Sequence, residues 1–312
     1  MSSIRPGSTT LVDLGSYKLE LSIHGPPRRA HNPIIVIIPD IGSSIKEWTA
    51  VTRALSESLT VVNYERAGYG QSDPAPENDA RTAKDLATEL HTLLRAAKIA
   101  PPYILVIHGY GAIIAREFVA LRNLLQFKGF VFVDADTEES VMGYSDPAIQ
   151  AVRGDIDLLD LCYHDRHRLS DLEWQDLLQE EVRPEHKAAR EREVAKYGAG
   201  QEALAATRRP KDQGPEFERT PVMVLHGDHS VDLEKIYNES CRLGTGSGAQ
   251  RDTVKNMIHS TTLREERTQR KLLDLSERSR FQHTAGSGHS IHLTAPEAVV
   301  DAVGWILMQY RC

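Results

Sequence analysis

Four side chains of this 312-residue sequence combine a proton-moving type with a place just past an apolar run or in a glycine turn. Asp40 follows the run Ile34-Ile-Val-Ile-Ile38, Asp134 follows Phe130-Val-Phe-Val133, Asp228 lies just past Leu225, and His289 sits in Ser287-Gly288-His289. An imidazole among carboxylates, with a pKa its neighbours can set near neutrality, is equipped for general acid and base catalysis. Attack through a hydroxyl would need a serine beside that imidazole. In the segment Tyr103-Ile-Leu-Val-Ile-His108-Gly109-Tyr110-Gly111-Ala112 the turn after the apolar run centres on Gly109, which has no side chain to attack with.

Such groups are useful only if one scaffold brings them together. Pro33-Ile-Ile-Val-Ile-Ile-Pro39 is a β-branched run of the kind found in strands buried on both faces. Leu59–Tyr64, Tyr103–Ile107, Phe130–Val133 and Pro221–Leu225 repeat it. Runs of this kind separated by helical stretches predict an α/β fold with a mostly parallel sheet and crossovers. Thr10–Leu14 and Tyr17–Ile23, either side of Gly15-Ser16, predict an antiparallel hairpin at the sheet's edge. Leu86, Leu90, Leu93, Leu94 and Ala97 recur at helical spacing and make one buried stripe before Pro101-Pro102 stops the helix. Ala112–Leu121 and Pro296–Met308 read as further helices.

Two regions break the alternation. Thr137–Arg219 is helical and charged, with Tyr144, Tyr163 and Trp174 dispersed in it, and reads as an inserted cap. The expected division is a first core segment over 1–136, a helical cap over 137–219 and a second core segment over 220–312. A second helical stretch runs from Val231 to about Leu275, interrupted by Gly244-Thr-Gly246-Ser-Gly248; between helices, that cluster is a loop and only a weak phosphate cradle.

Composition narrows the function classes. A net charge of −7, with acidic and basic residues interleaved through 180–220, argues against nucleic acid. No apolar run approaches a membrane span and no signal segment opens the sequence, so a cytoplasmic location without membrane insertion is expected. Cys162, Cys241 and Cys312 are too far apart for a zinc pair or a disulfide framework. His164 with His167, and His226 with His229, stand three apart, but no converging third ligand is visible; they read as polar surface. No metal and no cofactor are expected. The expected partner is a small-molecule substrate, with a homodimer left open.

Taken in order, three motifs resemble the α/β-hydrolase superfamily, and within it the hydrolase-like tailoring enzymes of fungal secondary metabolism. They are Tyr64-Glu65-Arg66-Ala67-Gly68-Tyr69-Gly70-Gln71-Ser72, the turn His108 to Ala112, and Ser287-Gly288-His289-Ser-Ile-His292-Leu-Thr-Ala-Pro296. The resemblance covers nearly the whole chain and implies an α/β-hydrolase fold with a helical cap. It gives His289 the place of the catalytic histidine and Gly109 that of the nucleophile serine on a strained strand-to-helix bend. His292 is read as packing or capping. The acid that orients His289 is left between Asp134, with Asp136 two residues on, and Asp228; the position the family favours falls on Ser230, flanked by Asp228 and Asp232. Where the family has glycine before its oxyanion-stabilising amide, this sequence has Asp40. Partial burial is expected to raise its pKa. Ile41, His108, Tyr110, Tyr163 and Trp174 are expected to shape the pocket.

The function these departures imply is non-covalent acid and base chemistry on a small, polyketide-like metabolite, such as epoxide opening, cyclisation or isomerisation, with Asp40 and His289 as the working pair. The alternatives are a ligand-binding pseudoenzyme or receptor, and a serine hydrolase inactivated by Ser→Gly at 109.

Overall fold

β-Branched runs become the centre of one eight-stranded sheet in the computed structural model, which describes residues 7–77, 79–140, 145–206 and 213–311. The strands are β1 (Ser8–Asp13), β2 (Lys18–His24), β3 (Ile34–Ile38), β4 (Val61–Tyr64), β5 (Tyr103–Gly109), β6 (Phe127–Ala135), β7 (Val222–Gly227) and β8 (Ser279–Thr284), in the spatial order β1-β2-β4-β3-β5-β6-β7-β8. β1 and β2 pair antiparallel as the expected edge hairpin, and every pairing from β4 to β8 is parallel. This is the α/β-hydrolase architecture. β8 is the strand that hydrophobic patterning missed: Ser-Arg-Phe-Gln-His-Thr pairs with β7 alone, and an edge strand needs no continuous apolar run.

The helices are α1 (Thr49–Leu55), α2 (Ala83–Ala96), α3 (Gly111–Ala120), α4 (Pro147–Arg153), α5 (Leu158–Tyr163), α6 (Asp171–Glu181), α7 (Pro184–Val194), α8 (Tyr197–Ala206), α9 (His229–Leu243), α10 (Gly248–Arg270), α11 (Ile291–Thr294) and α12 (Pro296–Arg311). The predicted stripe of α2, closed at its start by a Thr82–Asp85 capping box, packs with α3 on one face of the sheet. α1 and α12 cover the other. Each fully buried Ile or Leu here contributes roughly 1.5–3 kcal/mol.

Helices α4–α8 leave the sheet between β6 and β7, and α9–α10 leave it between β7 and β8. A third apolar cluster joins the two excursions, with Val152, Trp174 and Leu177 against Leu233, Ile236 and Val254. Tyr144 lies outside the described residues. No helix among those described is long and apolar enough to cross a membrane.

A buried charge cluster ties α7 to the strand ends. The Arg66 guanidinium donates to both carboxylate oxygens of Glu193 on α7, at 2.9 and 3.0 Å, and to the backbone carbonyls of Asp40 and Pro39 at 2.7 and 3.2 Å. Arg81 and the Tyr69 hydroxyl also donate to Glu193, at 3.3 and 2.9 Å. Glu193 is fully buried. Removing it leaves the interior Arg66 guanidinium without its carboxylate, while Arg81 keeps Glu89 at 2.6 Å, so Glu193→Ala is expected to cost on the order of 3–5 kcal/mol in urea denaturation.

Candidate active site

The site is built where β3, β5, β6 and the loop after β8 end on the same side of the sheet. β5 ends at Gly109, whose φ of +50° is a backbone conformation that side-chain-bearing residues rarely adopt. The chain bends there and α3 begins at Gly111. A Cβ at Gly109 would lie 2.2 Å from Cγ of Asp40. The Asp40 carboxylate therefore occupies the space an elbow side chain would need, and glycine is what admits it.

Both oxygens of Asp40 are engaged. Oδ1 accepts from the backbone N–H groups of Tyr110 at 2.6 Å and Ile41 at 2.7 Å, and Oδ2 faces Nε2 of His289 at 3.0 Å. The Tyr110 amide belongs to the start of α3, where free N–H groups and the helix dipole favour an anion. Behind His289, Nδ1 meets Asp134 Oδ2 at 2.7 Å. Asp134, His289 and Asp40 thus form a continuous relay, with the Asp40 carboxylate seated at the turn between β5 and α3.

Asp134 reaches the imidazole because β6 is irregular at its end. Asp134 has φ +42°, and the pairing with β5 shifts register where Gly109 meets Ala135. Such a bulge re-aims a side chain at the cost of strain. The buried Asp134 carboxylate also takes the Gly227 amide at 3.1 Å, His226 Nδ1 at 3.3 Å and His229 Nε2. The reading of His226 and His229 as polar surface is corrected: the spacing of three spans the end of β7 and the start of α9, and both rings turn inward to one carboxylate. Asp228 does not reach His289. It caps α9, accepting from Ser230 N at 3.0 Å, Ser230 Oγ at 2.6 Å and Thr262 Oγ1 at 2.8 Å. His289 is held from its backbone by Asp232, which accepts its N–H at 2.9 Å and the Tyr163 hydroxyl at 2.9 Å.

The charges follow from these contacts. Burial works against the His289 imidazolium, but the hydrogen bonds and charges of Asp134 and Asp40 outweigh it and hold its pKa well above the ordinary value. Burial alone would raise Asp40, as expected from the sequence; the bond and charge of His289 reverse the sign and bring it to about 2. Asp134 is held well below the carboxylate range, its burial offset by His229, His226 and His289. Asp136 goes the other way. Burial, then the charge of Asp40, lifts it to about 7 against the opposing hydrogen bond from Tyr197.

A cavity of about 570 Å³ opens over the relay, lined by Asp40, Ile41, Asp136, Tyr197 and His289 and walled by residues of the helical excursions such as Met257. Of the expected pocket residues only Ile41 lines it. His108 is buried beneath His289, ring centroids 4.4 Å apart, and burial followed by the charges of His289 and His292 lowers it to about 3. Tyr110 contributes its amide while its ring packs on Tyr197. Tyr163 braces the His289 loop, and Trp174 stacks on His167 in the third cluster. His292 packs as expected, stacked on Trp48 and bonded to Glu47 at 2.9 Å. The sequence offers Asp136 only beside Asp134 as an acid for His289 and gives no sign of Tyr197, because nothing local links the end of β6 to the start of α8. Two triplets, Asp40–His108–His289 and Asp134–His229–His289, could converge on a cation, although in both the nitrogens of His289 already face carboxylates.

Comparison with known proteins agrees with this architecture. The family model described as "Alpha/beta hydrolase family" matches residues 35–302. A Gibberella zeae protein named AB hydrolase superfamily protein is 29% identical over 94% of this chain and 92% of its own length. A Hormonema carpetanum protein named probable transporter efuK is 32% identical over 96% of this chain, which spans only 43% of that protein. Among solved structures, a Pseudomonas aeruginosa protein provisionally assigned as an epoxide hydrolase superposes with a TM-score of 0.66 at 15% identity, covering 100% of this chain and 99% of that one.

Two outcomes test this geometry. Gly109→Ser puts a Cβ against the Asp40 carboxylate and should destabilise the protein, whereas the same change in an Asp40→Gly background should cost less; a double-mutant cycle by urea denaturation should return about 1–3 kcal/mol of coupling. The raised pKa of Asp136 means that the folded state holds a proton the unfolded chain releases near 3.8. Its stabilising effect is full below that value and is lost as pH rises toward about 7. Stability of wild type relative to Asp136→Asn should fall across this window and level off above it.

Proposed function

We propose that this chain, which belongs to the alpha/beta hydrolase family, acts on a small molecule by proton transfer between Asp40 and His289, without an acyl-enzyme intermediate. The observation that carries the reading is the seat of the Asp40 carboxylate. Oδ1 fills the amide pair that would otherwise stabilise a carbonyl oxyanion, and Oδ2 faces the imidazole. Ester hydrolysis through a tetrahedral oxyanion therefore lacks its donors.

An epoxide does not need them. Ring opening requires a proton on the departing oxygen and removal of one from the attacking hydroxyl. His289 holds the first proton. When it passes to the ring oxygen, Asp40 loses the charge that depresses its pKa and becomes the stronger base. Asp40 then takes the proton of water or of an internal hydroxyl and returns it to His289, so hydrolysis or cyclisation leaves the site as it began. The same exchange serves isomerisation. The cavity volume of about 570 Å³ lies in the range of small-molecule sites and suits a polyketide-like skeleton. The fold likeness to a protein provisionally assigned as an epoxide hydrolase supports the substrate class.

The amide cradle also favours a second reading. Attack of Oδ2 on an epoxide carbon, with His289 protonating the departing oxygen, would leave an ester on Asp40 whose carbonyl oxygen already sits on two N–H groups. Hydrolysis of that ester by water would return the carboxylate. Intact-protein mass after acid quench separates the two, since only the ester adds the mass of the substrate.

With styrene oxide as probe, Asp40→Asn and His289→Ala should each lower kcat by about 10²–10⁴-fold while circular dichroism stays unchanged. Unchanged conversion in both variants overturns the proposal. Binding of the probe with no turnover in wild type marks a binding protein instead.

A further inference from the structure

We propose that Asp136, braced by Tyr197, is the hydrogen-bond donor that receives an uncharged acceptor oxygen of the ligand, an ether, epoxide or carbonyl, beside Asp40. The inference rests on the reading of this cavity as the substrate site, and adds to it the group that recognises the substrate.

The geometry begins at the backbone. Asp136 lies one residue past the end of β6, and its N–H donates to the carbonyl of Gly109 at 2.9 Å, which fixes it against the nucleophile turn. Its Oδ2 accepts from the Tyr197 hydroxyl at 2.8 Å. Tyr197 opens α8, and its ring packs on Tyr110 with centroids 5.4 Å apart. Asp136 and Tyr197 both line the cavity that holds Asp40 and His289. Oδ1 of Asp136 has no hydrogen-bond partner among the described residues. Because Oδ2 is the oxygen that accepts, a proton on this carboxyl belongs on Oδ1, where it can be offered to a ligand.

The surroundings keep that proton in place. Asp40, from the loop after β3, and Asp134, within β6, oppose a further negative charge; His289, from the loop after β8, favours one, as does the hydroxyl of Tyr197 from α8. Burial is larger than any of these and disfavours the charged form. A carboxylic acid kept neutral by an apolar, anionic setting is a strong donor to an oxygen that cannot itself donate. Ionised, it would repel the same oxygen.

An isosteric pair of unreactive probes tests this without turnover: 2-phenyltetrahydrofuran, which carries an ether oxygen, and phenylcyclopentane, which has CH2 in its place. By calorimetry, wild type should prefer the ether by about tenfold near pH 6 and lose the preference by about pH 9. Asp136→Asn, whose amide still donates, should keep the preference at both pH values, and Asp136→Leu should lack it at both. Tyr197→Phe should carry the preference to higher pH, because the hydroxyl it removes favours the carboxylate. Equal binding of the two probes by wild type near pH 6, or a preference that survives Asp136→Leu, overturns the assignment. Loss or retention of catalysis in Asp40→Asn bears only on the proton-transfer reading.

Discussion

A carboxylate lodged in the turn between β5 and α3 is the constraint on which the rest of the site depends. The space exists because Gly109 has no side chain, and the anion is tolerated there because two amide N–H groups and an imidazolium meet it. Each condition requires the others. A buried carboxylate without His289 would be driven to its neutral form, and an imidazolium without Asp40 and Asp134 would lose its proton. A side chain merely absent from position 109 would leave Asp40 unexplained; the 2.2 Å approach of a Cβ there to the Asp40 carboxylate makes the two one feature.

The loop that presents Asp40 is positioned from the far side by Arg66, in the turn Tyr64 to Ser72 that carried part of the family resemblance. Its guanidinium holds the carbonyls of Pro39 and Asp40 while it pairs with Glu193 of α7. The strand-end loop and the helical layer above it therefore share one buried counter-ion. Displacing α7 would strand Arg66 and release the carbonyls that aim Asp40, so the cavity roof and the relay are mechanically joined. Such buried pairs are costly to break even where they add little net stability.

Much of this was legible in the sequence, because the features concerned are local. The parallel strands are continuous β-branched runs, and Gly109, Asp40 and His289 each sit in a short motif. Legibility stopped where distant elements converge. The choice between Asp134 and Asp228 was made by a left-handed residue at the end of β6, which no pattern signals, and by Ser230 and Thr262 satisfying Asp228 where it stands. His226 and His229 looked like one exposed face because their spacing is helical, yet a strand ends between them. The sign of the Asp40 shift escapes the sequence for a related reason: burial is inferable from one loop, whereas the imidazolium that outweighs it arrives from a residue 249 positions away.

Two aspartates in one cavity then titrate far apart, and the difference has a direction of cause. Asp40 is ionised because His289 faces it, and its charge is among the causes that lift Asp136. The neutral carboxyl beside Tyr197 is thus downstream of the carboxylate in the turn, which is itself downstream of a glycine. Environments that separate the pKa values of neighbouring acids are how one site comes to hold both a proton acceptor and a donor at neutral pH. Restoring a side chain at Gly109 would expel Asp40, remove part of the repulsion on Asp136 and let that acid ionise. The carboxylate at the head of α3 and the raised pKa of Asp136 both follow from the absence of a side chain at Gly109.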